Sequence, residues 1–277
     1  MKSNKIFLFI LVYNCQNEIN RTFKKIKSFY SLFSEIIFIN NNSTDNSLKI
    51  IKTYIKKKKS KKLKIINNNL NFGQGGSHKV AFEYSSRKKA NYCTIYHGDD
   101  QANILDFKNL LKNKKYEKYD AILGGRFMKD SNFQNYALYR VLGNKIFNFM
   151  YQTITKKKVY DLGSGFNIYG AKVFKNNYVY FIDNNMGFNY QNFLLMTLSK
   201  VKYKFVPMSW KSEGEKSNVR LVHQTLMVIG IAFNFMLYKF NYFKKIKKNY
   251  LNNNKMNAKS QIYEGLKIKN TVWKFRL

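Results

Sequence analysis

Short apolar runs alternate with segments of helical period through the first half of the chain, and this alternation restricts the fold more than any other feature. Residues 6–12 are continuously apolar, as expected of a strand buried on both faces. Ile19, Phe23, Ile26 and Phe29 or Tyr30 then recur at helical spacing, and residues 36–39 form a second apolar run. Ser43-Thr44-Asp45 supplies helix-capping chemistry ahead of a stripe of Leu48, Ile51 and Tyr54 or Ile55. A third run at 63–66 leads into a glycine-rich loop at 73–76 and a helix expected over 77–86. A fourth run, 92–96, ends in the polar stretch His97-Gly98-Asp99-Asp100-Gln101. Strand–helix alternation with short links predicts an α/β fold: a mostly parallel central sheet flanked by helices.

The second half is less regular. Residues 121–123 read as a strand closed by Gly124-Gly125-Arg126, and 140–151 as a helix carrying Val141, Leu142, Ile146, Phe147 and Phe149. Asp161 to Phe166 is turn-rich, and a late strand at 201–206 is closed by Pro207. Residues 221–240 are apolar but broken by His223, Gln224 and Asn234. Their purest part, 226–233, is shorter than the roughly 20 residues a spanning helix needs, so the segment reads as amphipathic. The Lys- and Asn-rich remainder, 241–277, is expected to lack regular structure. The chain therefore divides into a sheet-bearing domain, 1–220, and an amphipathic helical extension with a basic tail, 221–277.

Lys and Arg number 50 against 15 Asp and Glu, a net charge of +35, which points toward nucleic acid, an anionic membrane or phosphorylated small molecules as partners. Lys, Asn, Ile, Phe and Tyr share A/T-rich codons, so part of the excess reflects nucleotide composition. At 45% hydrophobic residues the chain is no disordered polybasic tail. Its 2 cysteines, Cys15 and Cys93, cannot build a disulfide scaffold and fit a reducing compartment. The first apolar run ends at Tyr13-Asn14 without a small-residue cleavage site, so it reads as a strand and not as a signal peptide. His78, His97 and His223 are too widely spread for a zinc site, and Gly163-Ser164-Gly165 lacks the spacing of a hydrolase elbow.

Sites in open parallel sheets gather at the carboxyl ends of the strands. Three polar clusters fall there in register: Tyr13-Asn14, Asn40-Asn41-Asn42 and His97 to Gln101. Adjacent carboxylates such as Asp99-Asp100 can hold a hard divalent cation and bridge it to phosphate; the same pair could instead cap a helix from Ile104 onward. Phe72-Gly73-Gln74-Gly75-Gly76-Ser77 fails as a dinucleotide fingerprint, since His78 stands at the third glycine position and the loop follows the third strand. Arg126 and Arg140 stand out in a lysine-rich chain, because arginine grips phosphate bidentately.

In order and spacing these segments resemble the family-2 glycosyltransferases, which have the GT-A fold, over roughly residues 5–220. Residues 9–14 with Glu18 look like the opening strand and Pro-x-Tyr-Asn-Glu motif, with Leu11 in place of Pro. Residues 37–45 resemble the Val-Asp-Asp-Gly-Ser-Thr-Asp motif, residues 69–73 the Asn-x-Gly stretch, and residues 97–101 Asp-x-Asp-Gly-Gln. The second half looks most like polyprenyl-phosphate sugar synthases of the dolichyl-phosphate mannose synthase type, through Gly124-Gly125-Arg126, the Arg140–Asn144 segment and Asp161 to Phe166. Gly214 to Asn218 falls where those enzymes carry a mobile Arg-x-x-Gly-x-Ser loop, offset by a residue.

The resemblance implies a nucleotide-diphosphate sugar donor bound by Tyr13, Asn14, Glu18, Asn40, Asn42, Gly73, His97 and Gln101. It implies a divalent cation, Mg²⁺ or Mn²⁺, on Asp99 with Asp100 beside it. It also implies an acceptor phosphate on Arg126 and Arg140, with Asn144, Ser164 and Lys216 nearby. Asn40 replaces an Asp that contacts the base in relatives, and His97 replaces the first Asp of the metal motif. The segment 183–191, where relatives carry the base of an inverting transfer, offers only Asp183. A phosphate acceptor is already ionised and needs cationic positioning in place of a base. The expectation is an inverting, metal-assisted hexosyltransferase that acts on a polyprenyl-phosphate lipid, cytoplasmic and peripheral at the inner face of an anionic membrane. The alternatives are a saccharide-extending member of the family and, from another class, a nucleic-acid-binding basic protein, for which no recognised motif is present.

Overall fold

The structure, a computed structural model, describes residues 4–212, 221–253, 258–264 and 267–273. In chain order its elements are β1 (Ile6–Val12), α1 (Ile19–Lys27), β2 (Glu35–Asn40), α2 (Ser47–Lys58), β3 (Leu63–Asn68), α3 (Gly73–Arg87) and β4 (Tyr92–His97). Next come α4 (Lys108–Lys112), β5 (Ala121–Gly125), β6 (Phe133–Gln134), α5 (Leu138–Thr155), β7 (Phe166–Gly170), α6 (Ala171–Phe174), α7 (Phe188–Leu198), β8 (Tyr203–Pro207) and β9 (Trp210–Lys211). The chain closes with α8 (Leu221–Tyr238), α9 (Tyr242–Asn253), β10 (Ala258–Glu264) and β11 (Lys267–Trp273).

One sheet runs β11-β10-β3-β2-β1-β4-β7-β5-β8. Strands β3, β2, β1 and β4 are parallel, and β7 lies antiparallel between β4 and β5. The even residues of β1 (Ile6, Leu8, Ile10 and Val12) enter one hydrophobic layer, while Phe7 and Phe9 enter the other. That two-sided burial is why the run carries no polar alternation. Under one face, α1 and α2 meet through Phe23, which stacks on Tyr54 with ring centroids 3.8 Å apart. Over the other lie α3 and α7, with Phe82 and Phe188 buried, and above them α8 and α9.

Helix α8 buries Val228, Ile231, Ala232 and Phe235 at helical spacing, and the Tyr151 hydroxyl of α5 donates to the Val228 carbonyl at 3.0 Å. Its other face, Val222, Leu226, Ile229, Phe233, Met236 and Leu237, is exposed, as are Leu138, Leu142, Ile146 and Phe149 of α5. The two helices thus pack together, and each carries an uncovered apolar face.

Two expectations change. The glycine-rich stretch is not a loop before the helix; it is the first turn of α3. The tail is not irregular either: 258–264 and 267–273 form a hairpin that pairs antiparallel with β3 and extends the same sheet. The sheet-bearing part therefore reaches beyond residue 220.

Candidate active site

The four parallel strands end together, so Tyr13, Asn40, Asn68 and His97 stand along one rim. Tyr13 is exposed there, and Asn14 adopts φ 53° so that its Oδ1 accepts from the Thr44 backbone at 2.9 Å. Asn14 thereby ties the end of β1 to the loop after β2. Asn42 is exposed at φ 59°, and Glu18 is half-buried immediately before α1. Asn40 is buried; its Nδ2 donates to Asn67 Oδ1 at 2.7 Å, and its Oδ1 has no partner. An orphaned buried carbonyl oxygen beside a rim is an acceptor waiting for a donor, since leaving it unmet costs about 1–3 kcal/mol.

Gly73, at φ +71°, is where only glycine fits: a Cβ would meet the Asn184 carbonyl oxygen at 2.3 Å. The same segment closes on Gly75, whose Cβ would lie 2.4 Å from the Asp183 carbonyl. Buried Lys79 anchors this segment, donating to the carbonyls of Tyr180 at 3.1 Å and Ile182 at 2.5 Å and to Asn184 Oδ1 at 2.7 Å. Asp183 is exposed on the segment, and its carboxylate accepts from Gln191 Nε2 at 3.0 Å.

The metal-motif residues separate into different jobs. Asp100, buried at φ 59°, points both carboxylate oxygens at α1, one 2.8 Å from Lys25 Nζ and the other 3.1 Å from Arg21 Nε. It clamps the site's floor to a helix. Asp99 is half-buried at the rim, its Oδ1 accepting from the Gln101 backbone at 3.3 Å. His97 is half-buried, and burial first, then the Arg126 charge, lowers its pKa to about 4, so the ring is neutral. The Gln74 side-chain nitrogen lies 3.3 Å from His97 Nε2 and meets the lone pair a cation would need.

Among the described residues no three His, Cys, Asp or Glu side chains gather into a cage. The half-buried Asp99 carboxylate is of the oxygen-ligand type that could hold a hard divalent cation.

Next to this rim lies a second cluster. Arg126, 5% exposed, grips Asp161 in a fork: Nε to Oδ2 at 2.6 Å and Nη2 to Oδ1 at 2.9 Å. Burial opposes the charge, but the carboxylate and its hydrogen bonds outweigh it, so the guanidinium stays ionised. Its plane lies over Trp210 at 4.8 Å, and Nη1 donates to the Tyr136 hydroxyl at 3.2 Å. Asn144 Nδ2 donates to the same hydroxyl at 3.2 Å and to the Arg140 carbonyl at 2.7 Å. Tyr136 therefore joins Arg126 to the first turn of α5, where Arg140 is half-buried beside Tyr139. Ser164 is buried and turned inward, donating to Asn167 Oδ1 at 3.0 Å. Lys216 lies outside the described residues. Asp161, Tyr136, Trp210, Lys79 and Gln74 were not among the expected site residues; only Asp161 carried a signal, through its place in the turn-rich motif.

Comparison with known proteins is consistent with this geometry. Two uncharacterized proteins of Methanocaldococcus jannaschii are similar: one is 22% identical over 63% of this chain and 68% of its own length, the other 26% identical over 69% and 81%. Staphylococcus aureus TarS, solved with UDP-GlcNAc, superposes with a TM-score of 0.54 at 16% identity, covering 90% of this chain and 72% of that one. Glucosyl-3-phosphoglycerate synthase from Mycobacterium tuberculosis, solved with Mn²⁺ and UDP-glucose, gives 0.55 at 9% identity, covering 98% and 87%. These likenesses establish the GT-A fold. The profile of glycosyl transferase family 2 matches residues 7–179, more than half of the chain, and the protein is a glycosyltransferase of that family.

Proposed function

We propose that the enzyme transfers a sugar from a uridine-diphosphate donor to a polyprenyl-phosphate lipid at an anionic membrane surface. The observation that carries the acceptor half is the position of Arg140. It lies in the first turn of α5, on the side of the helix that carries Asn144, while Leu138, Leu142, Ile146 and Phe149 form an exposed apolar stripe on the other side. A phosphate held at that turn would have an uncovered apolar surface within one helix width for its hydrocarbon chain. Neither α5, α8 nor α9 contains an acidic residue, and α9 adds Lys244, Lys245, Lys247 and Lys248. Apolar area flanked by cations fits an anionic bilayer, each near-surface lysine contributing about 1 kcal/mol. A second copy of so basic a chain would be repelled.

By length and composition Val222–Tyr250 is sufficient to cross a membrane, at mean hydropathy 1.3. Its buried face against Tyr151 and Phe181 favours lying on the surface instead.

For the donor, the unpaired Oδ1 of Asn40 is suited to accept the imide N–H of uracil, and the neighbours solved with UDP, UDP-GlcNAc or UDP-glucose support that base. Asp99 would hold a divalent cation, which when bound neutralises charge on the departing diphosphate. Arg126 retains one N–H on each of Nη1 and Nη2 beyond its named contacts. Those, with Arg140, would orient an acceptor phosphate that attacks the anomeric carbon without a protein base.

Asp183, the sole carboxylate where a base is expected, supports the second reading, extension of a saccharide. The two readings separate in transfer assays with vesicles of phosphatidylglycerol containing polyprenyl phosphate. The lipid reading expects Arg140→Ala and Ile146→Glu to lose transfer and Asp183→Asn to retain it. Retained transfer in the first two with loss in Asp183→Asn would overturn it.

A further inference from the structure

The C-terminal hairpin does more than cover the edge of β3. A relay of buried side chains runs from it into the loop that precedes α3. Trp273 Nε1 donates to Ser260 Oγ at 2.7 Å, and Ser260 Oγ donates to Asn68 Oδ1 at 2.8 Å. Asn68 Nδ2 donates to Asn41 Oδ1 at 3.0 Å, and Asn41 Nδ2 donates to Asn71 Oδ1 at 2.7 Å and the Gly73 carbonyl at 3.3 Å. Asn41 Oδ1 also accepts the Phe72 backbone N–H at 2.9 Å, and Asn71 Oδ1 the Gly73 N–H at 2.8 Å. Asn41, Asn68, Ser260 and Trp273 are all at most 6% exposed, so each link is made in a low-dielectric interior. The backbone reinforces the relay: Asn69 N donates to the Lys259 carbonyl at 3.1 Å, and Lys259 N donates to Asn69 Oδ1 at 3.3 Å. Arg87 covers the far end, its guanidinium 5.1 Å over the Trp273 ring.

What the relay holds is functional ground. Asn41 follows Asn40, whose buried Oδ1 is unpaired, and Gly73 is the position where the 184 backbone leaves no room for a side chain. An amide side chain such as that of Asn41 can turn over and exchange its donor and acceptor ends. With Asn68 fixed by Ser260, only one orientation of Asn41 satisfies all its partners.

We propose that Ser260 and Trp273 are positioning residues for the donor nucleoside. The hairpin fixes the amide orientations of Asn68 and Asn41, and through them the Asn71–Gly73 loop and the Asn40 acceptor beside it. This rests on the donor reading given above.

The test compares full-length Ser260→Ala and Trp273→Phe, which keep the backbone pairing, with Tyr263→Phe, which alters the hairpin away from the relay. Amide hydrogen exchange over residues 69–76 is read in the unliganded protein, and UDP affinity by calorimetry. Each relay variant is expected to speed exchange at Phe72 and Gly73 and to weaken UDP about fivefold, the value of one net hydrogen bond. The double variant weakens it little further, because the links act in series, and Tyr263→Phe leaves both readouts unchanged. Faster exchange with unchanged UDP affinity reduces the hairpin to a stabilising edge and overturns the inference, as does unchanged exchange. Failure of the wild type to bind UDP would instead refute the donor reading, with exchange still reporting whether the brace exists.

Discussion

Replacing Asp161 by Asn keeps the side-chain volume but withdraws the charge opposite Arg126. Both partners are buried, 1% and 5% exposed, and Asp161 accepts four hydrogen bonds. Oδ2 takes the backbone N–H and Nε of Arg126, while Oδ1 takes Nη2 and the Gly163 N–H. An asparagine offers one oxygen, so whichever way its amide turns, two of the four donors face an N–H₂ group. Leaving a buried charge without its partner costs about 3–5 kcal/mol. With a urea slope of about 3 kcal/mol per M, the midpoint should fall by about 1–1.7 M. Trp210, stacked on the guanidinium, supplies a fluorescence reporter at the site. Arg126→Met together with Asp161→Asn should be less destabilised than Asp161→Asn alone, because the stranded charge is gone. A midpoint within about 0.3 M of wild type for Asp161→Asn, or no recovery in the double variant, would refute the reasoning.

Burial lowers His78 from 6.5 to about 3, so between those values the unfolded chain binds a proton that the native state refuses. Stability should therefore fall as pH drops from 7 toward 5, and His78→Asn should reduce that slope by about 1.4 kcal/mol per pH unit in urea titrations. Gly73→Ala forces a Cβ against the Asn184 carbonyl at a positive φ, and should cost at least about 1–3 kcal/mol in thermal or urea unfolding and weaken UDP binding. Lys79→Met strands three acceptors on residues 180–184, and should lower stability by about 1–3 kcal/mol and speed amide exchange across that segment. Asp99→Asn should raise the Mn²⁺ concentration needed for half-maximal turnover by at least about tenfold; unchanged metal dependence would remove Asp99 from the cation's site.

Much of this fold was readable because the four parallel strands are buried on both faces and leave continuous apolar runs such as 6–12. The hairpin at 258–273 was hidden by its setting. It forms an edge whose Lys259, Lys269 and Asn270 face water, and its inward residues, Ser260, Ile262 and Trp273, are too few to stand out from a basic tail. Glycine-rich residues 73–76 looked like a loop because glycine is a poor helix former. Packing against residues 183–185 demands its absent side chain and overrides that propensity.

In the site, adjacent Asp99 and Asp100 look equivalent in one dimension. Their separation into a rim carboxylate and a clamp arises from Arg21 and Lys25 on α1, a pairing that no local spacing reveals. Arg126 was legible as unusual, but its partner Asp161 lies 35 positions away and is brought to it only by the pairing of β5 with β7. The apolar stripe of α5 was visible in Leu142, Ile146 and Phe149; that it stays uncovered could be seen only once α8 was packed beside it.

The central claim is that sugar passes from a uridine-diphosphate donor to a lipid phosphate seated at the head of α5. It is tested most directly by supplying radiolabelled UDP-sugars with Mn²⁺ to the full-length protein, in the presence of both phosphatidylglycerol vesicles carrying polyprenyl phosphate and a soluble oligosaccharide. Label should appear in the organic phase as an acid-labile lipid-linked sugar and disappear with Arg140→Ala. Label confined to the oligosaccharide, undiminished in Arg140→Ala, would contradict the account.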